Sequence, residues 1–118
     1  MASNRDLTEL SALEQKIMLV ILRQHPNAYG ISIMDKLHED TGKMYQVGSV
    51  YAALERLEEK GFVKSRQGEA TAERGGKRKL HFILTGVGQS SLEAAMNSWD
   101  VLRKGLKLKG VTKHGHYR

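Results

Sequence analysis

Apolar residues along this chain recur at helical spacing three times, then alternate, then return to helical spacing. Over residues 7–24, Leu10, Leu13, Ile17, Val20 and Ile21 form one stripe. Met18, Leu19 and Leu22 lie off it. The predicted first helix is therefore apolar on nearly all sides and needs cover on both. A short chain covers one side itself; the other points to a second subunit. Thr8 or Ser11 is the candidate N-cap, and His25-Pro26-Asn27 ends the helix, since proline cannot continue it. A second helix is predicted over residues 30–41, with Ile33, Met34 and Leu37 inward and Gly42 as C-cap. A third covers residues 47–60, where Val47, Val50, Leu54 and Leu57 mark the buried face and Gly61 closes the helix.

The period then changes. Residues 62–66 and 79–84 read as two paired strands, with a polar loop over 67–78 that carries Gly75-Gly76. The last helix takes Thr85 as N-cap and carries Leu92, Ala95, Met96, Trp99, Leu102 and Leu106 on one stripe, running past where a compact body would end. Three helices followed by a hairpin is the order of a winged helix. The predicted fold class is α+β, mainly helical: a winged helix-turn-helix domain over 7–85 with a two-stranded wing. A long C-terminal dimerisation helix follows over 86–108, then a basic flexible tail over 109–118.

Composition narrows the function. The 118 residues suit one domain, and 40% hydrophobic content suffices for a core. Cysteine is absent, which excludes disulfides, thiolate nucleophiles and cysteine-ligated zinc. The longest apolar run, residues 17–22, falls far short of the ~20 residues that span a bilayer. The N-terminus lacks a signal-peptide core, so a cytoplasmic protein without membrane association is expected. No cofactor, metal site or catalytic constellation is expected either. His25, His38 and His81 have no partner at a convincing spacing, and His114-Gly115-His116 is weak as a ligand pair.

Charge is unevenly placed. The net is −2 over residues 1–61, +4 over 62–82 and +4 over 83–118. Localised positive charge suits a polyanion, although the tail alone also reads as a solvated end. In a winged helix the third helix enters the major groove N-terminal end first. Its first turn, Gly48-Ser49-Val50-Tyr51, offers small groups for close approach and hydroxyls for phosphate, with Ala52 beside them. The acidic Glu55, Glu58 and Glu59 come later, and Arg56 is expected on the exposed side, within reach of base or phosphate. Ser49 alternatively caps the helix, and Tyr51 alternatively packs beneath the wing. In the hairpin, Arg74, Lys77, Arg78 and Lys79 surround Gly75 and Gly76, where a minor-groove contact is expected. The plainer reading is a charged loop.

The segments Ala28-Tyr29-Gly30, Gly48-Ser49-Val50-Tyr51-Ala52-Ala53-Leu54-Glu55-Arg56-Leu57-Glu58-Glu59-Lys60-Gly61, Glu73-Arg74-Gly75-Gly76-Lys77-Arg78-Lys79 and Leu84-Thr85-Gly86-Val87-Gly88 resemble the PadR family of bacterial regulators, in its short form with a single C-terminal helix. The resemblance implies a dimer built by the first and last helices, with Leu10, Ile17, Met18, Ile21, Leu92, Leu102 and Leu106 expected at the interface. It also implies repression from an inverted repeat on double-stranded DNA. The family often has serine or asparagine where Gln46 stands, so Gln46 serves a DNA contact or leaves a weaker cap. In some short members a tryptophan of the last helix lines a cavity for flat aromatic compounds. Here Leu13, Ala95, Met96 and Trp99 are the candidates for a small planar aromatic effector, the alternative being an ordinary aromatic in the dimer core. Two other functions share this fold: a dimeric protein-interaction adaptor, and a sensor whose ligand pocket is its main purpose.

Overall fold

The computed structural model describes residues 9–70 and 78–107. The chain order is α1 (Ala12–Gln24), β1 (Ala28–Tyr29), α2 (Gly30–Thr41), α3 (Val47–Glu59), β2 (Val63–Ala70), β3 (Arg78–Leu84) and α4 (Gly86–Arg103). Residues 1–8, 71–77 and 108–118 lie outside the description. They include Thr8, Arg74, Gly75, Gly76, Lys77 and the whole tail over 109–118.

Between the two candidate caps, Ser11 takes the role. Its hydroxyl accepts from the Glu14 N–H at 3.1 Å, and its own N–H donates to Glu14 Oε1 at 2.8 Å. Residues 9–11, expected to be helical, are therefore the approach to α1. Helix α2 ends on Gly42, whose φ of 75° suits a residue without a side chain. Helix α4 begins on Thr85 as expected, its hydroxyl accepting from the Gly88 N–H at 3.0 Å. It ends at Arg103 rather than near residue 108, because Lys104 is extended and Gly105 adopts a φ of 78°.

The hairpin β2–β3 forms as predicted, and a third strand joins it. β1 pairs antiparallel with β3, Ala28 opposite Phe82 and Tyr29 opposite His81, giving the order β1-β3-β2. Two residues carry no readable period, so the sequence does not disclose this strand. Its consequence is large: it pins the start of α2 to the wing.

The core gathers Ile17, Met18, Ile21, Ile33, Leu37, Val50, Leu54, Leu57, Phe62 and Phe82, none more than 3% exposed. Helix α1 runs through its middle, touching α2, α3, α4 and β3. One chain thus covers most of the two-sided apolar surface that suggests a partner. Leu10, Ile17, Met18, Ile21 and Leu92, expected between copies, are at most 7% exposed inside the single chain. The large hydrophobic residues of α1 left exposed are Leu19 and Leu22.

Helix α4 is seated through backbone. Thr85 donates its N–H to the Phe62 carbonyl at 3.0 Å and its hydroxyl to the Gly61 carbonyl at 2.7 Å. Gly88 lies flat against the Phe62 peptide, where any side chain would collide with that carbonyl.

Glu14 is 1% exposed, the one buried charged residue among those described. Lys60 Nζ donates to its two oxygens at 3.0 and 3.1 Å, and Arg56 Nε donates at 3.3 Å. Burial raises its carboxyl pKa, but the Ser11 N–H, then Lys60 and Arg56, outweigh burial and hold it below the ordinary value. The stabilisation from this lowered pKa is complete above the ordinary glutamate range and is lost as pH falls through the lowered folded value. Replacing Glu14 with Ala is expected to cost roughly 1.5–3 kcal/mol, the worth of hydrogen bonds to charged groups. Urea unfolding at neutral pH measures it, and the gap between Glu14→Ala and the parent is expected to narrow in acid.

Candidate nucleic-acid interface

Helix α3 buries Val50, Ala53, Leu54 and Leu57, whereas Val47, expected on this face, is 57% exposed at the very start of the helix. At roughly 100° per residue, the opposite face carries Gly48, Ala52, Glu55 and Glu59. A side chain added at Gly48 would meet nothing within 4 Å, so a partner can come close to the backbone there. The N-cap is Gln46, whose carbonyl accepts from the N–H groups of Ser49 at 3.0 Å and Val50 at 3.2 Å. Ser49 is therefore inside the helix and not its cap, and it is exposed. No acidic residue occupies the first turn, which leaves the positive end of the helix dipole available to an anion.

Two flanks border this end. On the wing side, Tyr51 lies across Gly30, filling the space that a side chain there would take. Tyr51 packs beside the wing, in line with one of its two sequence readings, yet remains 43% exposed. A small hollow of about 70 Å³ lies between Tyr29, Gly30, Tyr51, Lys79 and Leu80. Lys79 Nζ stands 4.1 Å above the Tyr29 ring, a cation held by an aromatic face at the edge of the hollow. On the other flank, Lys16 Nζ donates to Tyr45 Oη at 3.2 Å, and Lys43 Nζ sits 5.0 Å from the Tyr45 ring centre. Sequence reasoning misses Lys16, Lys43 and Tyr45, because the net of −2 over residues 1–61 averages the lysines with acids that lie elsewhere.

Arg56 is on the exposed side, as expected, its side chain 45% exposed. Its Nε donates to Glu14 at 3.3 Å, which ties α3 to α1. Glu58 is likewise occupied, accepting from the Ser65 hydroxyl at 2.7 Å and fastening β2 to α3. Arg78 opens β3, with Ala70 as its backbone partner. The glycine tip of the wing lies outside the described residues.

Comparison with known proteins places this geometry. The Transcriptional regulator PadR-like family matches residues 18–94. The chain belongs to that family. A PadR-like transcription factor from Bacteroides fragilis is similar in structure, with a TM-score of 0.67 and 29% identity over 78% of this chain and 84% of that one. A PadR-family regulator from Eggerthella lenta gives a TM-score of 0.61 and 26% identity, covering 76% of each chain. RosR of H. salinarum shares the fold at a TM-score of 0.65 and 22% identity, over 86% of this chain and 84% of that one. No curated protein matches the sequence.

As a PadR-family member the chain is a DNA-binding transcriptional regulator and not an enzyme. Among the described residues no helix is long and apolar enough to cross a membrane. The PadR chain also carries an open cleft of about 450 Å³ between the start of α1 and α4, lined by Glu9, Leu10, Gln15, Ala95, Ser98 and Trp99 among others. Trp99 Nε1 donates to Gln15 Oε1 at 2.9 Å, which fixes the indole against α1. Of the four expected pocket residues, Ala95 and Trp99 line the cleft, whereas Leu13 and Met96 pack against the core.

Because Tyr51 rests on Gly30, Gly30→Ala is expected to push the phenol out of the hollow without collapsing the core. DNA affinity is expected to fall about tenfold while the thermal midpoint moves little. Titration of a labelled duplex beside a melting curve checks both.

Proposed function

We propose that this PadR-family chain represses transcription in the cytoplasm as a homodimer on an inverted-repeat operator, released by a small planar aromatic compound. The observation that carries the reading is the open, acid-free first turn of α3 between two cation-bearing flanks, Lys16 and Lys43 on one side and Lys79 on the other. On this reading the lysines of both flanks meet phosphates on either side of the groove. Gln46, Gly48, Ser49, Tyr51 and Ala52 make the groove face of this proposal. Arg74, Gly75, Gly76, Lys77, Arg78 and Lys79 make its wing contact.

Apolar exposure supports the dimer. Trp99, Val101, Leu102 and Leu106 of the last helix and its end are 55–75% exposed, and Leu19 and Leu22 of α1 also face outward. A run of this kind in water calls for a partner surface, and a second copy of the same chain meets an inverted repeat by symmetry. With half-sites centred about one turn, ~34 Å, apart, two recognition helices reach one face of the duplex. The cleft beside Trp99 borders this apolar run, so an aromatic ligand there would bear on subunit arrangement. It acts as a switch only by binding one arrangement better than the other.

Lys43→Ala combined with Lys79→Ala is expected to reduce the slope of log affinity against log salt by about 2, near 0.9 for each phosphate no longer neutralised. An unchanged slope rules out the two flanks as phosphate contacts. Leu102→Glu with Leu106→Glu is expected to yield monomers in sedimentation equilibrium and to weaken operator binding at least tenfold.

A further inference from the structure

The groove face of α3 is unusual in what it lacks. Residues 46–52 contain no arginine, lysine or asparagine, and Arg56 is engaged with Glu14. Lys43 and Lys79, on the flanks, stand over the rings of Tyr45 and Tyr29. Guanine is read in the major groove chiefly by arginine or lysine across O6 and N7. This helix end presents neither.

Besides the hydroxyls of Ser49 and Tyr51, which suit phosphate, it presents an amide and apolar groups. Gln46 is exposed and caps α3 with its backbone alone; its side chain makes no cap hydrogen bond. The amide therefore keeps both its donor and its acceptor. Glutamine matches adenine, donating to N7 and accepting from the N6 amino group. Beside it Val47 is 57% exposed in the first turn of the helix, outside the buried set that begins at Val50. Ala52 adds an exposed methyl one turn further on. Thymine is the base that offers a methyl group to such side chains in the major groove.

We infer that α3 reads an A·T-centred half-site, with Gln46 on an adenine and Val47 and Ala52 against thymine methyl groups. This rests on α3 being the groove helix of the proposed function. Specificity in the major groove is then carried by one amide and by hydrophobic contact, while the lysines of the flanks supply affinity without reading sequence.

The test uses the full chain and a random duplex pool at near-physiological salt, followed by atom-level substitution in the recovered half-site. Replacing thymine by uracil removes only the methyl group. At one or two positions it is expected to weaken binding about fourfold, the worth of one buried methyl-sized group. Replacing adenine by 7-deazaadenine removes the N7 acceptor and is expected to cost about tenfold at one position per half-site. In Gln46→Ala that second penalty is expected to vanish while the uracil penalty remains. The side chain of Gln46 makes no cap bond in the fold, so the variant keeps its structure. A recovered half-site with G·C pairs at its core, or one indifferent to both base analogues, overturns the inference and leaves the regulator standing. Recovery of no preferred sequence overturns the operator-binding proposal itself, and the inference with it.

Discussion

A single buried carboxylate ties α3 to the start of α1. Glu14 sits at the start of α1, almost without solvent contact, and holds Lys60 and Arg56 from the far end of α3. Buried ion pairs add little net stability, because desolvation offsets the attraction, but removing one partner is costly. Their effect here is positional. Fastened by charge at its C-terminal end and by Val50, Leu54 and Leu57 along its buried face, α3 leaves Gly48, Ala52, Glu55 and Glu59 facing outward. The same carboxylate closes the capping box with Ser11, so the start of α1 and the end of α3 share one joint.

A second joint lies at the base of the wing. Phe62 gives its carbonyl to Thr85 and its peptide face to Gly88, so α4 leaves β3 in one direction. β1 secures the start of α2 to β3, and Tyr51 bridges from α3 onto Gly30. β3, α3 and the start of α2 are consequently joined by direct contacts. Gln15, adjacent to Glu14 in sequence, holds Trp99. The cleft at α4 and helix α3 therefore bear on adjacent residues of α1, Gln15 and Glu14.

Much of this is legible in the sequence where local chemistry is strong. Gly42, Gly61 and Thr85 mark helix ends because glycine alone adopts positive φ easily and threonine caps with its hydroxyl. The alternating run through Phe82 fixes β3. What stays hidden is non-local. Glu14 pairs with residues more than forty positions away, and nothing near it in sequence announces burial. Arg56 has the same polar character whether it faces DNA or Glu14. The apolar surplus of α1 is real, but a sheet strand and three helices of the same chain cover most of it. Gly105 is a readable stop for α4 that the apolar stripe through Leu106 overshadows.

Whether the first turn of α3, with the wing beside it, meets DNA is open to backbone amide hydrogen exchange, with and without a selected duplex. Slowed exchange is predicted over residues 46–52 and 79–82 on adding DNA, with little change over residues 97–103. Protection confined to α4, with residues 46–52 unaffected, would contradict this placement of the interface.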